Sequence, residues 1–597
     1  MRFLLRATLG LLVLLATAAI AVVMSLPRDV PALPSGDPLP DAGRRAVGVL
    51  HVHSSYSDGA ADVPAIARAA REAGLDFVVL SDHGDPDALS KEGEGYIDGV
   101  MLLVGSEIST EGGHVLALQI PDPVLRFGTE PGEVLRDIDE MKGFSLAAHP
   151  YARRPNFTWT GWKLPGLTGI ELFNFFTGWS GQSAYRVGVA ALVHPFSSRR
   201  GLAAGLEWDP QLVEKWDSIL AERDLVAWAG LDAHGRVNLF GDVHLPWPSY
   251  RQVFQTARNH LVLDGPLVGD ADRDRESIYR ALERGQGYMS FDGIADGSRF
   301  SFFAQGGSRE WPMGSHVPAN LVDAGGIRLV ASIQAPDGTR LRILRDGAIL
   351  SETSHGTLSL GVEEPGVYRA EAHLDPIFVP GGREQPWIVS NPIFVLTEEQ
   401  IERRAALRRD FPRPVSTAEM ACQAVGNAPW RMAFHAEHDP ASRMDEAAAE
   451  SSRGSFRIGF RLSEPSDQRP YVWCSVGDRT PRDLSGFDAI RLEVWGKDVY
   501  RVSFQIRDAR PGASEEDTEW WAGSFKSAPE WREIVIPFDS LRSISETSDG
   551  TLDLDRVRGL FFVLDAGNTR PGASGVIEIR DLELCASTPY VLTVKRP

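Results

Sequence analysis

Between residues 46 and 295, nearly every strand-length apolar run carries a histidine or a carboxylate at one end, and no other feature constrains the chain as strongly. The runs are Ala46–Val52, Phe77–Ser81, Val100–Ile108, His114–Ile120, Phe144–Ala148, Gly169–Phe173 and Leu225–Leu231. Between them, Val63–Gly74, Glu133–Lys142 and Gln211–Arg223 read as helices; in the first, Val63, Ile66, Ala67 and Ala70 recur at helical spacing before a Gly74 stop. A last helix, Glu276–Arg284, leads into Gly287–Phe291. Alternating β and α units imply a mostly parallel sheet, and this many of them suggest a barrel. The carboxyl ends of barrel strands converge on one face, so the polar residues there share one mouth.

Those residues are metal-ligand types. His51 and His53 flank one residue at the end of the first strand, where a two-residue period puts both side chains on one side. Asp58 follows in the next loop, and then come His83, Glu107, His114, His149, Asp232 and His234. A lone histidine at a strand end is more often a hydrogen-bonded structural residue than a ligand. The co-occurrence of all nine residues in barrel order favours a metal centre. Six imidazoles and three carboxylates exceed what one ion needs and suit two or three divalent ions. Imidazole with carboxylate and no thiolate fits zinc, manganese or iron better than magnesium or calcium. The formal charge of −20 argues against a large nucleic-acid interface, but bound cations would still admit a short anionic substrate.

The stretches His51-Val52-His53-Ser54-Ser55-Tyr56-Ser57-Asp58-Gly59, Ser81-Asp82-His83-Gly84, Gly105-x-Glu107-Ile108, Gly113-His114-Val115, Ala148-His149-Pro150 and Asp232-Ala233-His234-Gly235 resemble the motifs of the PHP (polymerase and histidinol phosphatase) superfamily. The last signature and the Glu107-to-His114 strand pair look most like its CehA/McbA-type branch. The resemblance covers residues 46–295, and Ser81 stands where threonine is usual. It implies a distorted (βα)7 barrel with a di- or trinuclear centre. It also implies phosphoesterase chemistry in most members, with carboxylic or carbamate ester cleavage in some. In that frame a hydroxide bridging two metals would attack phosphorus or a carbonyl. Glu107 would bridge, since a carboxylate offers two oxygens to two ions. Asp82, beside His83 on a strand, would point away and orient its neighbours. His83 or His234 would double as general acid, Arg153 with Arg154 would clamp an anionic substrate, and Asn174 would line the pocket. His194 falls in an apparent insertion (residues 175–208) and reads as structural.

The rest of the chain brings further expectations. Arg2 and Arg6 precede a charge-free run, Ala7–Leu26, long enough to cross a bilayer as a helix. Ala16-Thr17-Ala18 and Ala19-Ile20-Ala21 resemble signal-peptidase sites, while the apolar run continues past both, which favours an uncleaved anchor over a cleaved signal. Either reading exports the remainder of the chain, to the periplasm or beyond, on a proline-rich tether at residues 27–45. Residues 297–396 alternate with period two, as in Ile327, Leu329, Ala331 and Ile333, and predict an immunoglobulin-like sandwich. A linker helix is expected within residues 397–419. Residues 420–597 form a second all-β unit that resembles galactose-binding-like jelly rolls of the CIA30 and family 11 carbohydrate-binding types. Of its Trp473, Trp495, Trp520, Trp521 and Trp531, most are expected in the core; Trp520 and Trp521, being adjacent, should face opposite ways. Glycan or protein contact through this unit is implied by the resemblance. The three cysteines leave room for one bridge in the C-terminal region. The whole reads as an exported metal-dependent phosphoesterase acting on phosphomonoester, phosphodiester or nucleotide ends. The alternatives are a carboxylic, carbamate or amide hydrolase on the same centre, and a glycan-binding or assembly protein with a structural metal.

Overall fold

The computed structural model describes residues 2–25, 41, 43–84, 86–122, 125–203, 205–240, 243–323, 326–335, 338–374, 385–409, 411, 420–425, 434–450, 455–464, 470–476, 480–509, 518–545 and 548–586. Most of the proline-rich tether and Pro412-Arg413-Pro414 lie outside them. The chain divides into two compact units, one of residues 1–122 and 129–411, the other of residues 123–128 and 412–597.

The first unit is built on β1 (Arg45–Val52), β2 (Phe77–Leu80), β3 (Gly95–Ile97), β4 (Val100–Val104), β5 (Ser106–Thr110), β6 (Gly113–Leu118), β7 (Phe144–Ala147), β8 (Leu167–Asn174) and β9 (Val226–Ala233). β1 pairs in parallel with β2, and β2 with β4. The chain continues through Gly105 into β5, where Glu107 bridges back to His83. From β5 the ladder runs antiparallel through β6 to β7, then parallel through β8 and β9 to β1, so the pairings close on themselves. The expected single strand Val100–Ile108 is thus two. A Cβ at Gly105 would lie 2.5 Å from the Ala117 carbonyl, and the close approach there turns the chain. Regular βα alternation is also interrupted, since no helix separates β4, β5 and β6.

Local signals place the helices. α1 (Arg2–Ser25) is followed by α2 (Val63–Ala73), which Asp62 caps by accepting from Ala65 N and which Gly74 ends in the left-handed region. Its stripe of Val63, Ile66, Ala67, Ala70 and Ala73 is buried. After α3 (Asp87–Lys91) and α4 (Pro131–Glu140), the insertion after β8 folds as α5 (Phe175–Ser180), α6 (Ala184–Val193) and α7 (Ser198–Ala203). Then come α8 (Pro210–Leu220), α9 (Tyr250–Val253) and α10 (Ala271–Arg284). α10 starts five residues before the predicted Glu276, because Asp270 caps a first turn too charged to show an apolar stripe. Several side chains of α1 are not described; among the described residues no helix is long and apolar enough to cross a membrane.

A hairpin of β10 (Val237–Phe240) and β11 (Val243–Leu245) follows β9. β12 (Arg258–Val262) and β13 (Gly287–Ser290) extend the sheet antiparallel from β1. The residue 297–396 region is mostly β, with one short helix at Asn320–Asp323, and Ile327, Leu329, Ala331 and Ile333 are buried as their alternation requires. Its strand Pro386–Ser390 pairs directly with β13, so its sheet is continuous with the one that β1–β9 build. Glu398–Arg409 forms the linker helix.

The second unit stacks two six-stranded antiparallel sheets over one hydrophobic core, with Phe456, Ile458, Leu492, Phe504, Leu560 and Phe562 at its centre. Cys422 and Cys585, opposite one another on paired strands, form a disulfide, and Cys474 is free and buried. Trp520 and Trp521 do face opposite ways, the first 39% exposed and the second 8%. The expectation that most of the five tryptophans pack in the core is not met. Trp521 alone of them joins it; Trp473 and Trp495 are half-buried and Trp531 is exposed. The reason is alternation: the opposite residues of the same strands, such as Val472, Cys474 and Val494, take the inner face.

Candidate metal centre

All nine predicted ligands come together at one mouth of the β1–β9 sheet, His114 at the amino end of the antiparallel β6 and Glu107 near the start of β5, and Glu107 lies at their focus. Its Oε1 accepts from His114 Nδ1 at 2.7 Å and His149 Nε2 at 2.9 Å. Its Oε2 faces His83 Nδ1 at 3.0 Å, His51 Nε2 at 3.2 Å and His53 Nε2 at 3.4 Å. Asp232 Oδ1 lies 3.2 Å from His53 Nε2, and Asp58 Oδ1 lies 3.1 Å from His234 Nε2. Three groups have ligand atoms mutually within 4.8 Å: His53, Asp58, His83 and His234; His51, Glu107 and His149; His51, His53 and Asp232. His114 belongs to none of them and bonds Glu107 instead.

A divalent cation fits this arrangement. Among the described residues, the buried Nε2 atoms of His51 and His53 and Oε2 of Glu107 have no hydrogen-bond partner although they converge on one another. Leaving such atoms unsatisfied costs about 1–3 kcal/mol each, and a cation satisfies imidazole and carboxylate lone pairs together. The electrostatics agree. Burial opposes ionisation of Glu107, yet His51, then His114 and His149, hold its carboxyl well below the usual carboxylate range. Burial disfavours a charged His51, but Glu171, Glu107 and Asp232 outweigh it and push its pKa well up. His53 is likewise raised, to about 9, by Asp232 and Glu107 against the effect of burial. A field that draws protons onto imidazoles draws cations as well.

The backbone is bent to aim these side chains. His51, His149 and Asp232 all adopt positive φ (63°, 29° and 50°), a conformation costly for non-glycine residues and characteristic of functional sites. At His51 and Asp232 the pairings of β1 slip in register, which turns both side chains inward. Asp82, as expected, faces away from the cluster. It accepts from Ser54 N and Ser54 Oγ at 2.7 Å and from Ser57 Oγ at 2.5 Å, and so shapes the loop that carries Asp58.

The other predicted residues lie around this cluster. Arg153 donates to Gly181 O and lines a cavity of about 580 Å³ that opens beside His149, with Asn174, Glu207 and Trp208 also in its wall. Arg154 turns onto the Phe157 ring. Asn174, in the wall of that cavity as expected, also caps α5 and donates to Glu171. His194 accepts from Trp247 Nε1, as a structural histidine would.

No family model matches the sequence, and no curated protein matches it. Among solved structures, the chain is similar to a two-domain protein from Bacteroides vulgatus described as containing a predicted PHP-like metal-dependent phosphoesterase. The two share 14% identity over 59% of this chain and 97% of that one, with a TM-score of 0.29. It is also similar to the family 11 carbohydrate-binding module of a Clostridium thermocellum cellulase, at 16% identity over 28% of this chain and 94% of the module, TM-score 0.23. A family 30 module from the same organism gives 12% identity, 27% and 93% coverage, and a TM-score of 0.20. At these identities and scores the chemistry rests on the geometry of the site alone.

Sequence reasoning missed Glu171. Its Oε1 accepts from His51 Nδ1 at 2.7 Å, and its Oε2 accepts from His149 N at 2.6 Å and Asn174 Nδ2 at 2.9 Å. Gly230 on β9 makes room for it, since a Cβ there would fall 1.8 Å from Glu171 Oε1. The signal was a lone carboxylate within the apolar strand Ile170-Glu171-Leu172-Phe173, which must be paired if it is buried. Tyr250 was missed as well. Its hydroxyl donates to His53 O and accepts from Ala60 N, fixing the loop after β1.

Proposed function

We propose that the cluster is the centre of a metal-dependent hydrolase of the PHP type, on a distorted (βα)7 barrel, with phosphoesters as its first substrate class. The observation that carries this is Glu107, whose two oxygens face separate sets of imidazoles beside buried ring nitrogens that have no hydrogen-bond partner among the described residues. Held there, two or three divalent ions of zinc, manganese or iron would supply a Lewis acid and an activated water. His51, His53, Asp58, His83, Glu107, His149, Asp232 and His234 would hold them, with His114 positioned through Glu107. His83 and His234, the most open imidazoles of the cluster at 39% and 20% side-chain exposure, would serve as general acid for the leaving group, a role their exposure supports. Arg153, on the cavity beside His149, would bind an anionic substrate group.

The cavity also supports the second reading, hydrolysis of carboxylic, carbamate or amide esters. Glu207 and Asp209 share its wall with Arg153, a mixed lining that does not demand a dianion. For the second unit, Trp520 and Trp531 offer exposed aromatic faces suited to stacking on a sugar ring, which supports a glycan contact. The charge-free N-terminal run supports export and membrane tethering, testable by N-terminal sequencing of the mature protein.

Metal content of the full chain is to be measured by mass spectrometry. Turnover of aryl phosphate, aryl acetate and a short oligonucleotide is then compared between the wild type and His51→Ala. Preferential aryl phosphate or oligonucleotide turnover, abolished in the variant, is the expected result. Unchanged activity in the variant would remove the site assignment.

A further inference from the structure

The insertion between β8 and β9 breaks the rule that a surface helix carries a polar face. α6 exposes Ala184, Tyr185, Val187, Gly188 and Ala191, with Tyr185 69% and Val187 46% accessible. Its one charged residue, Arg186, turns inward to Glu207 at 2.8 Å. Just beyond its end, Phe196 is 49% exposed. A helix that is apolar on its outer face is normally covered, and α6 is too short, at about 15 Å, to span a bilayer.

Two further observations say what covers it. α1 lies against α6, and α1 carries no charged side chain from Ala7 to Ser25 while Leu11, Leu12, Val13 and Leu14 point outward. A lipid medium that accepts the charge-free run of α1 would accept α6 beside it. Second, Phe176 on α5 is 53% exposed, and its ring centre lies 6.4 Å from that of His234. The apolar surface thus reaches the edge of the histidine cluster.

We propose that α5 and α6, with Phe196, form a monotopic contact that lies in the headgroup–acyl boundary of a phospholipid bilayer and seats the mouth of the cluster at the membrane surface. Short apolar helices with aromatic side chains settle at that depth. The contact is separate from any crossing by α1 and from the chemistry of the cluster.

The test uses the full chain in phosphatidylcholine vesicles. Val187→Cys is labelled with a polarity-sensitive fluorophore; Cys474 is buried and Cys422 is bonded to Cys585, so the label goes to the new site. Leu350→Cys, at a 47% exposed position on the strand Ala348–Thr353, is the control. The expected result is severalfold stronger quenching of the residue 187 label by lipids carrying nitroxide near the headgroup, with shielding from aqueous iodide. A label at Tyr185→Cys should repeat it. Equal iodide access at positions 187 and 350 without lipid quenching would overturn the proposal. Iodide shielding with self-quenching that grows with copies per vesicle, and no lipid quenching, would also overturn it in favour of a contact between copies of the chain.

Discussion

Glu171 Oε1 lies 2.7 Å from His51 Nδ1, and both side chains are wholly buried. A carboxylate only accepts, so Nδ1 carries a proton, and on metal binding the Nε2 of His51, which faces Glu107 and Asp232, would give up its own proton and offer its lone pair. The same carboxylate holds His149 through its backbone amide. Two candidate ligands from different strands are therefore set by one residue that itself lies outside the cluster.

From this, Glu171→Ala should weaken metal binding about 10- to 100-fold, the usual cost of losing a carboxylate behind a ligating histidine. Glu171→Gln should also weaken it, because an amide nitrogen turned toward His149 N–H or Asn174 Nδ2 meets a second donor. Competition with a chromophoric chelator measures both. Wild-type affinity in the two variants would remove Glu171 from the site.

Metal binding should release protons. In the metal-free chain His53 is raised to about 9, so it carries a proton at pH 7.5, and His51 is shifted in the same direction, against burial, by Glu171 and Glu107; ligation requires both neutral. Calorimetric titration of the apo-protein in buffers of different ionisation enthalpy should show about one to two protons released per protein between pH 7 and 8. Below pH 6 apparent affinity should fall further, as competition by protons increases. A buffer-independent enthalpy would contradict the arrangement.

Much of this was legible in the sequence because strand ends have a fixed period and direction. His51, His53, His83, His149 and Asp232 could be placed on one mouth from spacing alone, and Asp82 could be turned away from it. What stayed hidden depends on tertiary pairing. The left-handed backbone at His51, His149 and Asp232 is imposed by neighbours, and no glycine marks it. Glu171 needs the space left by Gly230, a residue 59 positions away in sequence. The pairing of Pro386–Ser390 with β13 joins two regions that periodicity separates, because period-two alternation reports a strand's faces and not its partner. The tryptophans of the second unit show the same limit, since alternation sorts them into two faces without saying which is inside.

Acid should destabilise the first unit through two buried carboxylates away from the metal cluster. Burial opposes ionisation of Asp292, but His260 and Arg258 bring it to about 2; Glu371 is brought to about 2 by His373 and Arg369. Both folded values lie below the ordinary ones of 3.8 and 4.5, so the stabilisation is complete above about pH 5 and is lost as pH falls toward 2. Each carboxylate contributes on the order of 2–3 kcal/mol at neutral pH. Asp292→Asn should lower the unit's Tm at pH 7 and flatten its decline between pH 4.5 and 2.5. An unaltered acid profile in the variant would show that the ion pair contributes nothing.

The Cys422–Cys585 disulfide closes a segment with a sequence separation of 163 and joins the first and last long strands of one sheet in the second unit. A cross-link over so long a loop removes much of the freedom of the unfolded chain, worth about 3–5 kcal/mol where native geometry is retained. The bond belongs to one unit only, so reduction should separate the two unfolding transitions. Cys422→Ser with Cys585→Ser should lower the calorimetric transition of the second unit by several degrees and leave that of the metal-binding unit in place. Added metal should then raise the first transition alone, since a ligand that binds only the folded form stabilises the unit that holds it. A single transition that moves as one with both treatments would mean that the units unfold together.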